Sequence, residues 1–516
     1  MSKSIINLIN FARGCEPRDA SIDLVGTMRE ELELAKQYGL KTTILFQYDA
    51  LVQKEFRDVA SEYAKDGMVE IGMWLELVRT CTVKGGAEWT GRDQEWDWGA
   101  RQCNLIGHTP ERRKKILDEC MRAFCEYYGR YPAVVGAWAL DTVSLSYLKE
   151  KYGVEGACIC KEQFGTDSYT LWGGYYAGGY YPSKNNVFCP AQSLENQLDL
   201  PVFRMLGSDP IYQYDYCLDL QEGPTIQKVV TLEPVQTEYS YGGCDKNWVN
   251  WFLKENYNEN ALGYTYAQAG QENSFGWGLI ADGLTYRVQQ IAKLQKEGKI
   301  ECLTFGETVK WFKEKYKQTP ATSLLAETDW KNEGRKTYWY ENKNYRINVM
   351  KDEESVWIRD MFLFDETYPE RYLTEVLDKD YFVFDNLPIV DGFRWSGNGI
   401  RCGVYFVGED GNDIFGDIEY EKGNGQITLS VQAEQPIVCT FGEREVSFRS
   451  NKEFSLRGQG DSVRVDTRFS LCKEKICMQY REHNYALSIE KGSAKIEERG
   501  ICLFSENGEI VLKTAR

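Results

Sequence analysis

Along roughly the first three hundred residues, short apolar runs alternate with stretches whose apolar residues recur at helical spacing. INLINF (6–11) reads as a strand, and the helix after it carries Met28, Leu32 and Ala35 on one face and ends at Gly39. The strand signal returns in KTTILF (41–46), VEIGMW (69–74), AVVGAWAL (133–140), VEGACIC (154–160), VFRMLG (202–207) and LGYTYAQ (262–268). Helices such as PERRKKILDECMRAFCEYYG separate some of them, and IECLTFGETVKWFKEKYKQ adds a last short strand and helix. Strands alternating with helices pair in parallel and keep the helices outside, so this many units predict a closed or nearly closed (β/α)7-like barrel. After Thr319-Pro320 the period changes to two in QITLSVQAE, SVRVDTRFSL and GEIVLKT, with turns at Gly423-Asn424-Gly425 and Asn507-Gly508. The pattern predicts an α/β chain with a barrel over 1–320 and a carboxy-terminal β-sandwich over 321–516.

Length supports the division, because a chain of 516 residues exceeds what one hydrophobic core ordinarily holds. With 42% hydrophobic residues, a mean hydropathy of -0.49 and no apolar run near the roughly 20 residues that span a bilayer, no membrane association is expected. The start MSKSIINLINFARG has no long apolar region, so a cytoplasmic location is expected, and the 16 cysteines read as reduced, mostly apolar side chains. A net charge of -17 repels phosphate backbones and argues against nucleic acid. Only two histidines are present, His108 and His483, which disfavours a histidine-built zinc site or a Ser-His-Asp triad. No metal and no cofactor are expected, and an acidic chain with a β domain is compatible with a homo-oligomer.

The candidate chemistry lies where predicted strands end, the face on which parallel barrels build active sites. Acids gather there: Glu16, Glu76, Asp141, Asp167, Asp209 and Glu272. The surrounding loops are rich in aromatics, in EWDW (95–98), YTLWGGYYAGGYYPSKNN (169–186) and SFGW (274–277), and such rings beside carboxylates and amides suit a carbohydrate. Within VEIGMWLELVR (69–79), Trp74 and Glu76 are two apart and share a strand face, which Gly72 would turn into the barrel.

TMREELELAKQYGLKTTILF followed by GMVEIGMW resembles the opening of the glycoside hydrolase/deacetylase superfamily, a NodB-like β/α barrel of about seven strands. GYYPSKNN, CPAQ, FRMLGSDPIYQYD and GQENSFGW are similar to a gut-bacterial family with this barrel and a carboxy-terminal β domain. Trp74 and Val78 stand where the deacetylases of the superfamily have metal histidines, and Ala12-Arg13-Gly14 replaces their paired aspartates, so the resemblance implies loss of that metal. Its glycoside-cleaving barrels carry carboxylates after the fourth and seventh strands, which implies Asp141 as nucleophile or base and Glu272 as acid, with Asp209 in reserve. Substrate-binding positions are then expected at Trp74, Glu76, Trp96, Asp97, Lys161, Asp167, Trp172, Tyr212, Gln271 and Trp277. The expectation is a two-carboxylate glycoside hydrolase or transglycosidase acting on a small or oligomeric sugar. The alternative is a carbohydrate-binding or sensing protein without turnover, and a third possibility is a hard cation held by Glu16, Glu76 and Asp141.

Overall fold

The computed structural model describes residues 3–160, 163–166, 169–171, 173–219, 229–235, 240–259, 261–379, 385–497 and 500–514. Eight parallel strands build the first half: β1 (Lys3–Ala12), β2 (Thr42–Phe46), β3 (Val69–Trp74), β4 (Val134–Gly136), β5 (Gly156–Cys160), β6 (Val202–Met205), β7 (Tyr264–Ala269) and the short β8 (Glu301–Leu303). They run in the order β7-β1-β2-β3-β4-β5-β6, with β8 also paired to β1. The lower half of β1 bonds β7 and β8, and its upper half, from Ile9, bonds β2. Every residue of β2, β5, β6 and β7 is buried, because helices cover one face and the barrel interior takes the other.

Between β6 and β7 the barrel is nearly closed, without a regular ladder. There Leu206 N donates to Gln268 Oε1 at 2.7 Å and Gly207 N to Gln268 O at 3.2 Å. Gln268 is wholly buried, and its Nε2 reaches across to Ile9 O at 3.0 Å. One polar side chain thus stands in for missing ladder bonds.

The surrounding helices start as their caps dictate. The helix Leu24–Gln37 is capped by Asp23, Pro110–Tyr128 by Thr109 with Pro110 in its first turn, and Thr142–Tyr152 by Asp141. The helix Phe305–Lys315 begins in a capping box between Thr304 and Glu307, and Phe305, Val309 and Phe312 pack into the barrel core.

Antiparallel strands take over from Thr322. A nine-stranded sheet begins with Thr322–Ala326, Lys336–Glu341, Tyr345–Lys351 and Val356–Leu363, and an eight-stranded sheet includes Gln426–Gln432, Thr467–Cys472, Lys475–Tyr480, His483–Lys491 and Glu509–Lys513. One apolar core contains residues of both, from Ile347 and Phe406 to Leu429 and Leu487, as in a sandwich. Asn424-Gly425 and Asn507-Gly508 both have positive φ at the two turn positions, the geometry of tight hairpins.

The two halves share buried polar contacts. Glu341 of the nine-stranded sheet accepts from Tyr176 N at 2.7 Å and from Ala177 N, while the Tyr176 ring lies on Trp339 with centroids 4.0 Å apart. This corrects the expectation of a sugar-stacking loop: Tyr175, Tyr176, Tyr180 and Tyr181 are buried in packing. A second contact is a strap around 364–377. Its Glu370 accepts from Thr142 N and Val187 N, and Arg113 donates to Tyr372 O and Glu375 O.

Candidate functional site

Side chains alternate along β1, and Ile9, Phe11 and Arg13 follow one another up the barrel interior. Phe11 lies flat on Trp74 with centroids 4.2 Å apart, and Trp138 stands edge-on to both at 5.3 Å. Gly136 makes this layer possible, since a Cβ there would lie 2.7 Å from Leu45 Cδ1 and Cys158 Sγ and 3.0 Å from the Trp74 ring. Trp74 is therefore wholly buried and offers no wall to a ligand.

Above this layer the Arg13 guanidinium gathers acids from three strand ends. Its Nη2 lies 3.0 Å from Glu76 Oε2, 3.3 Å from Glu76 Oε1 and 3.2 Å from Glu272 Oε2, and Nη1 is 4.0 Å from Glu16 Oε2. The Trp96 ring lies 3.9 Å from the guanidinium carbon. Trp96 Nε1 donates to Glu76 Oε1 at 3.1 Å, and Trp74 Nε1 to Glu76 Oε2 at 3.0 Å. Both oxygens of Glu76 thus accept from nitrogen donors.

Glu272 accepts from the Ser274 hydroxyl, and its own N–H donates to Gln271 Oε1 at 2.9 Å. Asn273 ties this loop to β1, accepting from Arg13 N at 2.8 Å and donating to Arg13 O at 2.9 Å. Glu16 takes three hydrogen bonds from Arg18. Burial raises its pKa, but the bonds and charge of Arg18 outweigh this and leave it below the usual range.

Two further acids stand close by. Asp49, after β2, is pushed up to about 6 by burial, against hydrogen bonds from Cys15, Gly14 and Ala50. Glu31, in the helix Leu24–Gln37, is raised well above the carboxylate range by burial and by the charge of Glu272, with Arg287 opposing.

Asp141 does not join this cluster. It caps the helix Thr142–Tyr152 through Ser144 N and Oγ, and pairs with the wholly buried Arg113 at 3.1 Å. Asp209 is likewise held elsewhere, accepting from Ile211 N, Tyr212 N, Trp248 Nε1 and Trp330 Nε1, with burial raising its pKa. The pairing of Asp141 with Glu272 is corrected accordingly, since its oxygens serve a helix end and an ion pair.

Asp97 accepts from Arg92 and Gly99, and Tyr212 donates to Asp329 Oδ1 at 2.5 Å. Gln271 Nε2 is 3.5 Å from Glu233 Oε1, and Trp277 N donates to Thr27 Oγ1. Lys161, Asp167 and Trp172 lie outside the described residues. The expected list missed Arg13 and Asp49; the signal for both was a charged residue just past an apolar strand, in NFARG and FQYDA.

No family model matches the chain, and no curated protein matches it. Among solved structures, a "putative glycoside hydrolase/deacetylase" from Parabacteroides distasonis superposes with a TM-score of 0.53 at 16% identity, covering 72% of this chain and 87% of its own. The two chains share a fold. A "putative polysaccharide deacetylase" from Mycobacterium smegmatis aligns with a TM-score of 0.38 at 13% identity, over 61% of this chain and 91% of its own. A GH57-type branching enzyme from Pyrococcus horikoshii aligns with a TM-score of 0.31 at 12% identity, over 60% and 70%.

The shared fold raises the question of a metal, and the residues present do not fit one. Arg13 puts a fixed positive charge between Glu76 and Glu272, where a cation would meet repulsion, and Trp74 fills the interior position on β3. Among the described residues no three His, Cys, Asp or Glu side chains group as metal ligands.

Proposed function

We propose that the protein is a carbohydrate-active hydrolase, cleaving a glycosidic bond at the mouth of the barrel with Glu272 and Glu76. The observation that carries the reading is the convergence of Glu16, Glu76 and Glu272, from the ends of β1, β3 and β7, on the single buried Arg13. Glu76, held in place by Arg13 and two indole N–H groups, is the carboxylate that faces the anomeric carbon. Glu272 is the proton donor to the leaving oxygen: it is buried at the end of β7, accepts from the Ser274 hydroxyl and stands beside Glu76 on Arg13. Both carboxylates lie within 3.2 Å of the same Arg13 nitrogen. That keeps their Oε2 oxygens closer together than the about 6.5 Å an inverting pair requires, which supports a retaining reaction with Glu76 as nucleophile.

The test is a screen of chromogenic glycosides with wild type and Glu272→Gln. The variant should bind substrate with little change while kcat falls by about 10²- to 10⁴-fold, the usual share of general acid catalysis. A second reading, binding without turnover, is favoured by one feature: Arg13 is wholly buried and both oxygens of Glu76 are already taken. Sugar binding by a wild type that turns over no glycoside would decide for it.

A further inference from the structure

The outer face of the eight-stranded sheet carries a trough of about 740 Å³, bounded on its other side by Gln192, Lys343 and the stretch 363–367. Strand register explains its shape. Ser470, Cys477 and Ala486 lie side by side across the strands Thr467–Cys472, Lys475–Tyr480 and His483–Lys491, a row of small side chains that leaves the middle of the face low. At one end the adjoining row is Arg468, Gln479 and Asn484, and at the other it is Lys475, Ser488 and Lys513. Arg468 and Cys472, the residue facing Lys475, are four apart on one strand, so the cationic ends are about 13 Å apart.

Charge decides what such a trough can hold. The protein carries -17 overall, yet Lys343, Arg444, Arg468, Lys475 and Lys513 line this one groove. Lys343 pairs with Glu443 and Lys513 with Glu490, whereas Arg444, Arg468 and Lys475 are exposed and form no ion pair among the described residues. The two acids of the far wall face other partners: Glu366 takes Ser193 and Asn196, and Asp365 takes Thr367 and His483. Of the aromatic rings that line the trough, Phe364 and Tyr485 are buried and Phe469 is half-buried, whereas the rows across it offer the amides of Gln479 and Asn484 and the hydroxyls of Ser470 and Ser488. Amides and hydroxyls bond sugar hydroxyls, and guanidinium and ammonium groups at either end bond carboxylates.

We propose that this trough is a second binding site, for an acidic oligosaccharide whose uronate carboxylates meet Arg468 at one end and Lys475 at the other. It is separate from the barrel mouth and independent of the chemistry there.

The experiment is calorimetric titration of the full chain with tetragalacturonate, with neutral maltotetraose and a short single-stranded oligodeoxynucleotide as comparisons. Tetragalacturonate should bind, more weakly as salt rises, and the other two should bind at least 10-fold more weakly. Arg468→Ala combined with Lys475→Ala should weaken binding at least 10-fold, and Ala486→Trp, which fills the trough, should abolish it. Both trough variants leave the barrel residues untouched, so their loss of binding separates this site from the barrel. Absence of tetragalacturonate binding, equal affinity for either comparison ligand, or undiminished binding by either trough variant would each overturn the proposal.

Discussion

A single guanidinium organises the barrel mouth, and removing its partners should be costly. Arg13 is wholly buried, and its closest charge is Glu76 at 3.0 Å. Breaking a buried pair by neutralising one member leaves the other charge uncompensated, at about 3 to 5 kcal/mol. Glu76→Gln should therefore destabilise the protein by about that much in urea unfolding, well beyond Glu272→Gln, whose carboxylate shares Arg13 with Glu76. Glu76 was recognisable beforehand because Trp74 and Glu76 share a strand face directed inward. Asp141 misled because a strand-end acid and a helix cap look alike in sequence: ALDTVSL satisfies both descriptions, and only the positions of Ser144 and Arg113 choose between them.

At the scale of elements, the seam between β6 and β7 and the strap around 364–377 make separate predictions. Gln268→Ala would strand the buried Leu206 N–H and Ile9 carbonyl, so a loss of about 3 kcal/mol is expected, read as a lower urea midpoint. In the strap, Glu370 is pushed well above the ordinary carboxylate range by burial and then by the charge of Asp141. Its folded state holds a proton that the unfolded chain has released, so its contribution to stability is full at low pH. That contribution is lost as pH rises from the ordinary carboxylate range through the raised value. Glu370→Gln should remove this slope, and its melting temperature should gain on wild type steadily between pH 5 and pH 8.5.

At the scale of the whole molecule, the barrel and the sandwich are joined by buried hydrogen bonds as well as by apolar packing. Arg113 donates to Tyr372 O of the strap, Glu370 of the strap accepts from Thr142 N, and Glu341 holds the loop at Tyr176. Parting them would expose these groups without partners, so heat unfolding should show one transition with matching calorimetric and van't Hoff enthalpies. Two separated transitions would refute that coupling. The alternation of apolar and polar residues determined by itself the strands, the helices and the change of period after Thr319, since these follow from which faces must leave water. It also determined that acids gather at strand ends. Which acids meet was decided by tertiary structure alone, because Arg13, Glu76 and Glu272 are brought together by barrel closure across more than 250 residues of chain. The aromatic loop around Tyr176 was decided the same way: its rings are adhesive between domains, and only the facing Trp339 and Glu341 make them so.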